Sequence, residues 1–202
     1  MLGNAATNVA FPLSTLCVAS ALLFGVGGAA TFSLKLGAKK EDEAATAVGN
    51  ASVLLVAVGV VLSVVVLLFL RPLMRAFGAT DEVLSYALTY TGITAYGFPF
   101  LIFTTGGTAL VRADGSPRYS MVCTLAGAVL NTVLDPIFIF GLGMGMAGAA
   151  VATVIGQVVS AVMVAAYMFR FKSIRLQKKH FVLHWQDTLK IASLGTSHCF
   201  NQ

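Results

Sequence analysis

The 202-residue chain is short of charge. Lys, Arg, Asp and Glu together make up 10% of it, where soluble domains carry about 25%, and residues of apolar type make up 57%. A soluble fold of that composition would expose wide apolar patches and aggregate, so the soluble classes are excluded. Cysteine is scarce too: Cys17, Cys123 and Cys199 stand far apart, with no CxxC or Cys/His spacing. That leaves no basis for a disulfide framework, a metal cluster or a thiol nucleophile. Cys17 and Cys123 fall inside apolar runs, where a free thiol behaves as a small hydrophobe. No Lys or Arg precedes Lys35, so the basic start of a cleavable signal peptide is missing. Histidine is confined to His180, His184 and His198 in the tail, and the four-residue spacing of the first two is more often chance than metal ligation. GxSxG, HExxH, a Walker loop and a carboxylate pair are all lacking, so nothing points to an enzyme.

What the chain has is long apolar runs. Five are long enough to cross a hydrocarbon core, which takes about 20 helical residues; they fall at 6–34, 48–70, 84–111, 117–141 and 147–169. The fold class is therefore all-α, a polytopic bundle of five spanning helices occupying 1–170. The remainder, 171–202, is a basic linker followed by an apolar pattern from Asp187 that reads as the start of a truncated further helix. The connectors carry turn chemistry: Lys39-Lys40-Glu41-Asp42-Glu43 in the first, Pro72 as a helix stop in the second, and Asp114-Gly115 then Ser116-Pro117 in the third. Ser as N-cap with Pro at the first helical position is a helix start.

The net charge of +5 sets topology; nucleic-acid binding is a poor alternative for a segment tethered to a membrane helix. With the first helix running inward, connectors one and three and the tail hold Lys35, Lys39, Lys40, Arg112, Arg118, Arg170, Lys172, Arg175, Lys178, Lys179 and Lys190, leaving Arg71 and Arg75 outside. The positive-inside rule then places the N-terminus outside and the basic tail in the cytoplasm. The tail from Arg170 to Trp185 mixes bases with Phe171, Phe181 and Trp185, a composition suited to lying on anionic membrane lipid.

Asp135 is the one acid within the five spans, and an ionised carboxylate is costly at membrane depth. Asn131, four residues earlier, shares its helix face. Pro136 has no N–H, which frees the Thr132 carbonyl and bends the helix. Carboxylate, amide oxygen and carbonyl within one turn suit a small hard cation or a proton. Equally, Asp135 near the outer interface is a cap for the segment after Pro136. In the next helix Gly148, Ala152, Gly156 and Ser160 form a small-residue face for close helix packing. The neighbouring face carries Gly145, Ala149, Thr153 and Gln157, where Thr153 and Gln157 either turn to the cavity of Asp135 or bond another helix. The third span is rich in hydroxyls, among them Tyr90 and Thr94, which line a cavity or serve packing. Pro12 and Pro99 interrupt their spans as kinks, a feature of transporters and of ordinary bundles alike.

Several stretches resemble the multidrug and toxic compound extrusion (MATE) transporters, nearest to the bacterial branch: Arg112-Ala-Asp-Gly-Ser-Pro-Arg-Tyr-Ser-Met121, Asn131-Thr-Val-Leu-Asp-Pro-Ile-Phe-Ile-Phe-Gly141, and Met144-Gly-Met-Ala-Gly-Ala-Ala-Val-Ala-Thr153 with Gln157. Phe11-Pro12-Leu13, Gly25-Val-Gly-Gly28, Leu36-Gly-Ala-Lys-Lys40 and Phe77-Gly-Ala-Thr80 fit in the same order. The resemblance implies a twelve-helix antiporter of two six-helix lobes in the inner (plasma) membrane, exporting cationic or amphipathic small molecules in exchange for Na+ or H+, with no other cofactor. It further implies that Asn131, Asp135 and Thr153 form the cation site of the N-terminal lobe. On this alignment the chain matches helices two to six and the beginning of seven, as a fragment whose partners are a missing first helix, bearing a second acid, and a C-terminal lobe. The other readings are a lipid-linked precursor flippase of related fold and a membrane scaffold that transports nothing.

Overall fold

The computed structural model describes residues 2–174, 176–177, 180 and 191–195. Every element among them is helical, as it must be where hydrocarbon offers no partner to an open backbone. The helices are α1 (Leu2–Gly37), α2 (Glu41–Leu68), α3 (Leu70–Ala76), α4 (Asp81–Ala95), α5 (Phe98–Ala113), α6 (Pro117–Pro136) and α7 (Gly145–Met168), with a π-helical turn at Ile137–Gly141. By length and composition α1, α2, α7 and the run Pro117–Gly141 each suffice to cross a membrane, and α4 with α5, bent by 55° between them, add a fifth where the pair counts as one span. Of the basic, aromatic tail, Arg175, Lys178, Lys179 and everything from Phe181 to Trp185, His184 included, lie outside the described residues, as do His198 and Cys199.

Hydropathy located the crossings and misjudged two boundaries. The second helix begins at Glu41 rather than 48, because Glu41, Asp42 and Glu43 fill its first turn, where negative charge meets the positive end of the helix dipole. The third crossing is two helices rather than one continuous span. It breaks at residues 96–97, and Pro99 stands in the first turn of α5, where a missing N–H costs nothing. Pro72 sits in the first turn of the short α3, and its missing N–H leaves the carbonyl of Leu68, the last residue of α2, without its partner four residues on. Pro12 stays inside α1. Ser116 occupies the N-cap position of α6 without capping it; its hydroxyl lies 2.6 Å from that of Tyr167 instead.

Close helix approach rests on small residues. In Gly25-Val-Gly-Gly28 of α1 each glycine meets a different neighbour. A methyl group at Gly25 would overlap Gly106 of α5, one at Gly28 would overlap Ala51 of α2, and one at Gly27 would overlap the Ile191 carbonyl of the helical residues 191–195. The core divides into two clusters. Phe32, Val48, Leu110, Val164 and Tyr167 fill one; Leu13, Leu55, Met74, Phe98 and Ile102 fill the other. Helix α6 stands apart, with 11% of its crossing buried against 28–33% for α1, α2 and α7. Near its start it meets α5, where Ser120 donates to the Thr108 carbonyl; the rest of its inner face lies on α7, and that seam holds the candidate site.

Candidate functional site

Gly127 of α6 and Gly156 of α7 bring two backbones together: a methyl group at Gly156 would stand 2.7 Å from the Gly127 carbonyl oxygen. Ser160 locks the seam by donating its hydroxyl to the Cys123 carbonyl at 2.9 Å. The small face predicted for α7 is therefore a packing face, with Gly148, Ala152, Gly156 and Ser160 all buried.

One turn further along α6 the close approach brings polar groups into register. Asn131 donates from Nδ2 to Asp135 Oδ1 on its own helix (3.4 Å) and to Thr153 Oγ1 across the seam (3.3 Å). Thr153 in turn donates to the Ala149 carbonyl at 2.9 Å, so its oxygen is oriented as an acceptor toward α6. The Tyr90 phenol of α4 faces Thr153 and lies within electrostatic reach of Asp135. Four of the residues singled out in the sequence thus meet at one place. Pro136 ends α6 just beyond, where it has no amide to offer Thr132, and the Ile137 N–H turns to the Leu134 carbonyl. The chain then widens into the π-helical turn, closed by Leu142 N–H to Ile137 O (2.9 Å) and Met144 N–H to Phe138 O (3.1 Å).

Beside Asn131 and Thr153 a cavity of ≈ 240 Å³ extends between α5, α6 and α7 toward the end where α7 finishes, past Thr104, Gln157 and Ser160. Gln157 Oε1 and Thr104 Oγ1 are buried without a hydrogen-bond partner, and Gln157 presses on Gly97 at the α4–α5 break. Gln157 stands in the wall of this cavity. Thr94 does not line this one: it is buried and its hydroxyl returns to the carbonyls of Tyr90 and Thr91. Nor does Tyr90 form part of its wall.

Sequence reasoning missed a second polar cluster, at the end of the bundle that carries the basic connectors. Asp114, read as part of a turn, is buried. It accepts the Tyr167 hydroxyl (2.8 Å) and the backbone N–H of Lys172 (2.9 Å) on Oδ2, and the N–H of Ser173 (3.0 Å) on Oδ1. It anchors the segment after α7 to the connector after α5. Nearby, His180 is buried and its Nε2 lies 3.0 Å from Asp42 Oδ1.

Comparisons with known proteins identify the family and the fold. A family model described as MatE matches residues 4–137. The chain is 30% identical over 165 residues to the multidrug export protein MepA of Staphylococcus haemolyticus, covering 82% of this chain and 36% of that protein. It is 27% identical over 172 residues to the probable multidrug resistance protein YoeA of Bacillus subtilis, covering 83% and 37%. The chain thus spans little more than a third of the length of these curated relatives. Among solved structures, an inward-facing multidrug resistance MATE family transporter superposes with a TM-score of 0.90 at 27% identity, over 96% of this chain and 45% of that one. An outward-facing one superposes with 0.86 at 29% identity, over 95% and 43%.

Proposed function

The chain belongs to the MatE family, and on that premise we propose that it serves as part of the N-terminal lobe of a secondary transporter exporting cationic or amphipathic drugs in exchange for Na+ or H+. Asp135 is the carboxylate that takes the coupling ion, and Asn131 and Thr153 hold it in place. The observation that carries this reading is the bridge from Asn131 to both Asp135 and Thr153 across the α6–α7 seam. A membrane carboxylate finds partners at a functional place far more often than at random. Here the amide N–H groups go to neighbouring oxygens, so the Asn131 carbonyl, the Thr153 oxygen and the Asp135 carboxylate are left as acceptors for a cation. Gln157 lines the cavity beside them, and the Tyr90 phenol faces Thr153.

Alternating access takes two halves moving around a shared site, so transport by this unit requires a second lobe of the kind found in the remaining length of its relatives. The likeness to both an inward-facing and an outward-facing relative supports a unit that moves as one body while rearrangement occurs between lobes. Positive charge collects at one end of the bundle, and that supports a cytoplasmic tail with α1 starting outside.

The test is a chimera in which this chain replaces the matching segment of the S. haemolyticus relative, expressed in an efflux-deficient bacterium. Dye export is followed under imposed Na+ and proton gradients. Hydrogen bonds to a charged group carry about 1.5–3 kcal/mol, so Asp135→Asn should weaken ion-driven export roughly tenfold to a hundredfold. Export that persists in Asp135→Asn with unchanged dependence on either gradient would remove Asp135 from the coupling role.

A further inference from the structure

A groove of ≈ 480 Å³ runs along the outside of the bundle between α2, α5 and α7, with Val53, Val56, Phe103, Ala165 and Phe169 in its wall. That volume is within the range of about 300–1,000 Å³ that ligand sites occupy. Val56 is 43% exposed and Phe169 83%, so the groove opens sideways to lipid. At the end where α7 finishes, Gln177 belongs both to this groove and to a second, polar niche of ≈ 610 Å³. The niche holds Glu41, Asp42, Lys172, Ser173 and His180. One face of α2 serves both: Glu41 and Ala45 line the niche, Ser52 and Val56 the groove, at spacings of four, seven and four residues that keep them on one side. From Ala45 to Ser52 is about 10 Å along the axis.

The charges of the niche are divided. Asp42 is engaged by His180. Glu41 and Lys172, opposite in sign and in the same niche, form no ion pair among the described residues. A carboxylate and an ammonium without an ion-pair partner among the described residues, and an apolar groove leading away from them, match three parts of one molecule: a primary ammonium, a phosphate and an acyl chain. We propose that groove and niche together bind a phospholipid with a zwitterionic, primary-amine head, of the phosphatidylethanolamine class, drawn from the leaflet at this end of the bundle. The ammonium lies toward Glu41, the phosphate toward Lys172 and one acyl chain along Val56, Phe103 and Ala165.

The apolar groove alone selects nothing from a bilayer, because lipid tails are as apolar as the side chains they would replace. Selection falls to the head. An anionic head can meet Lys172 but leaves Glu41 without a cation, and a choline head carries no N–H to donate. The inference is independent of the coupling-ion reading: it needs only a bundle set in a membrane, and holds whichever way the bundle faces.

The 202-residue chain, purified into nanodiscs and released for native mass spectrometry, gives the test with phosphatidylethanolamine, phosphatidylcholine and phosphatidylglycerol offered in equal amounts. A charge at the membrane surface is worth roughly a fivefold change in lipid retention, so the unsubstituted chain should keep one ethanolamine lipid about fivefold over either competitor. Glu41→Gln should erase the preference over choline lipid, Lys172→Gln should lower retention of all three, and Ala165→Phe should abolish it by filling the groove. Circular dichroism and gel filtration establish that each variant is folded. Equal retention of the three lipids by the unsubstituted chain overturns the proposal, as does full retention by folded Ala165→Phe. A lipid-free groove whose Ala165→Cys variant cross-links between chains overturns it in favour of a second copy.

Discussion

Asp114 shows how much one residue can carry without announcing it. Its three donors come from Tyr167, Lys172 and Ser173, more than fifty positions away, so no local pattern tells a buried acceptor from an ordinary turn aspartate. Asp114→Ala would leave three donors without their acceptor, at about 1 kcal/mol or more each, and should cost roughly 3 kcal/mol. Asp114→Asn keeps one acceptor oxygen and should cost less. Cys17 and Cys123 are buried free thiols, so a fluorogenic thiol reagent can follow thermal unfolding of both variants. Equal midpoints for Asp114→Ala and the unsubstituted chain would show that the cluster does not hold the segment after α7. Asn131 and Asp135 were legible for the opposite reason: four residues apart on one helix, they must share a face whatever the tertiary structure. Their link to Thr153, on another helix, came from family resemblance, since no spacing within the chain specifies it.

Between elements, the decisive contact is the α6–α7 seam. Its small-residue stripe was readable because a four-residue period of Gly, Ala and Ser has few purposes other than close approach. The partner stripe was not, because α6 offers Gly127 alone at the point of closest approach. A side chain at Gly156 must push α6 away and draw Asn131 off Thr153. Gly156→Leu should therefore destabilise the fold by about 1–3 kcal/mol, the usual cost of overpacking, and in the chimera should reduce ion-driven export along with it. Gly37→Ala, where an added methyl group meets nothing within 4 Å, is the matched control for stability. An unchanged midpoint and unchanged export for Gly156→Leu would show that the seam yields freely. Pro99 marked the interruption of the third crossing, but not the residues at which the chain turns. The chain actually turns at 96–97, where Gly97 makes room for Gln157 of α7, and a tertiary contact of that kind leaves no periodicity behind.

For the molecule as a whole, the question is which end faces the cytoplasm, and the loops supply a geometric argument beyond charge counting. At one end Lys35 and Lys40 both pair with Glu43, His180 meets Asp42, and Asp114 takes the N–H groups of Lys172 and Ser173. Three basic connectors, far apart in sequence, are thereby tied into a single surface. At the other end Arg75 lies 3.9 Å from an exposed Asp81, and Arg71 is the only other base nearby in the sequence. Such concentrated asymmetry favours insertion with the tied end in the cytoplasm. Ala38 and Thr80 mark the two ends, and both are exposed. In a background with Cys17, Cys123 and Cys199 replaced by Ala, Thr80→Cys should react with a membrane-impermeant maleimide on intact cells. Ala38→Cys should react only after the membrane is opened. The reverse pattern would invert the bundle and turn the Asp114 and His180 clusters outward. Labelling of both positions on intact cells would mean that the chain inserts in two orientations, and the charge asymmetry would then be too weak to fix the direction in which a coupling ion meets Asp135.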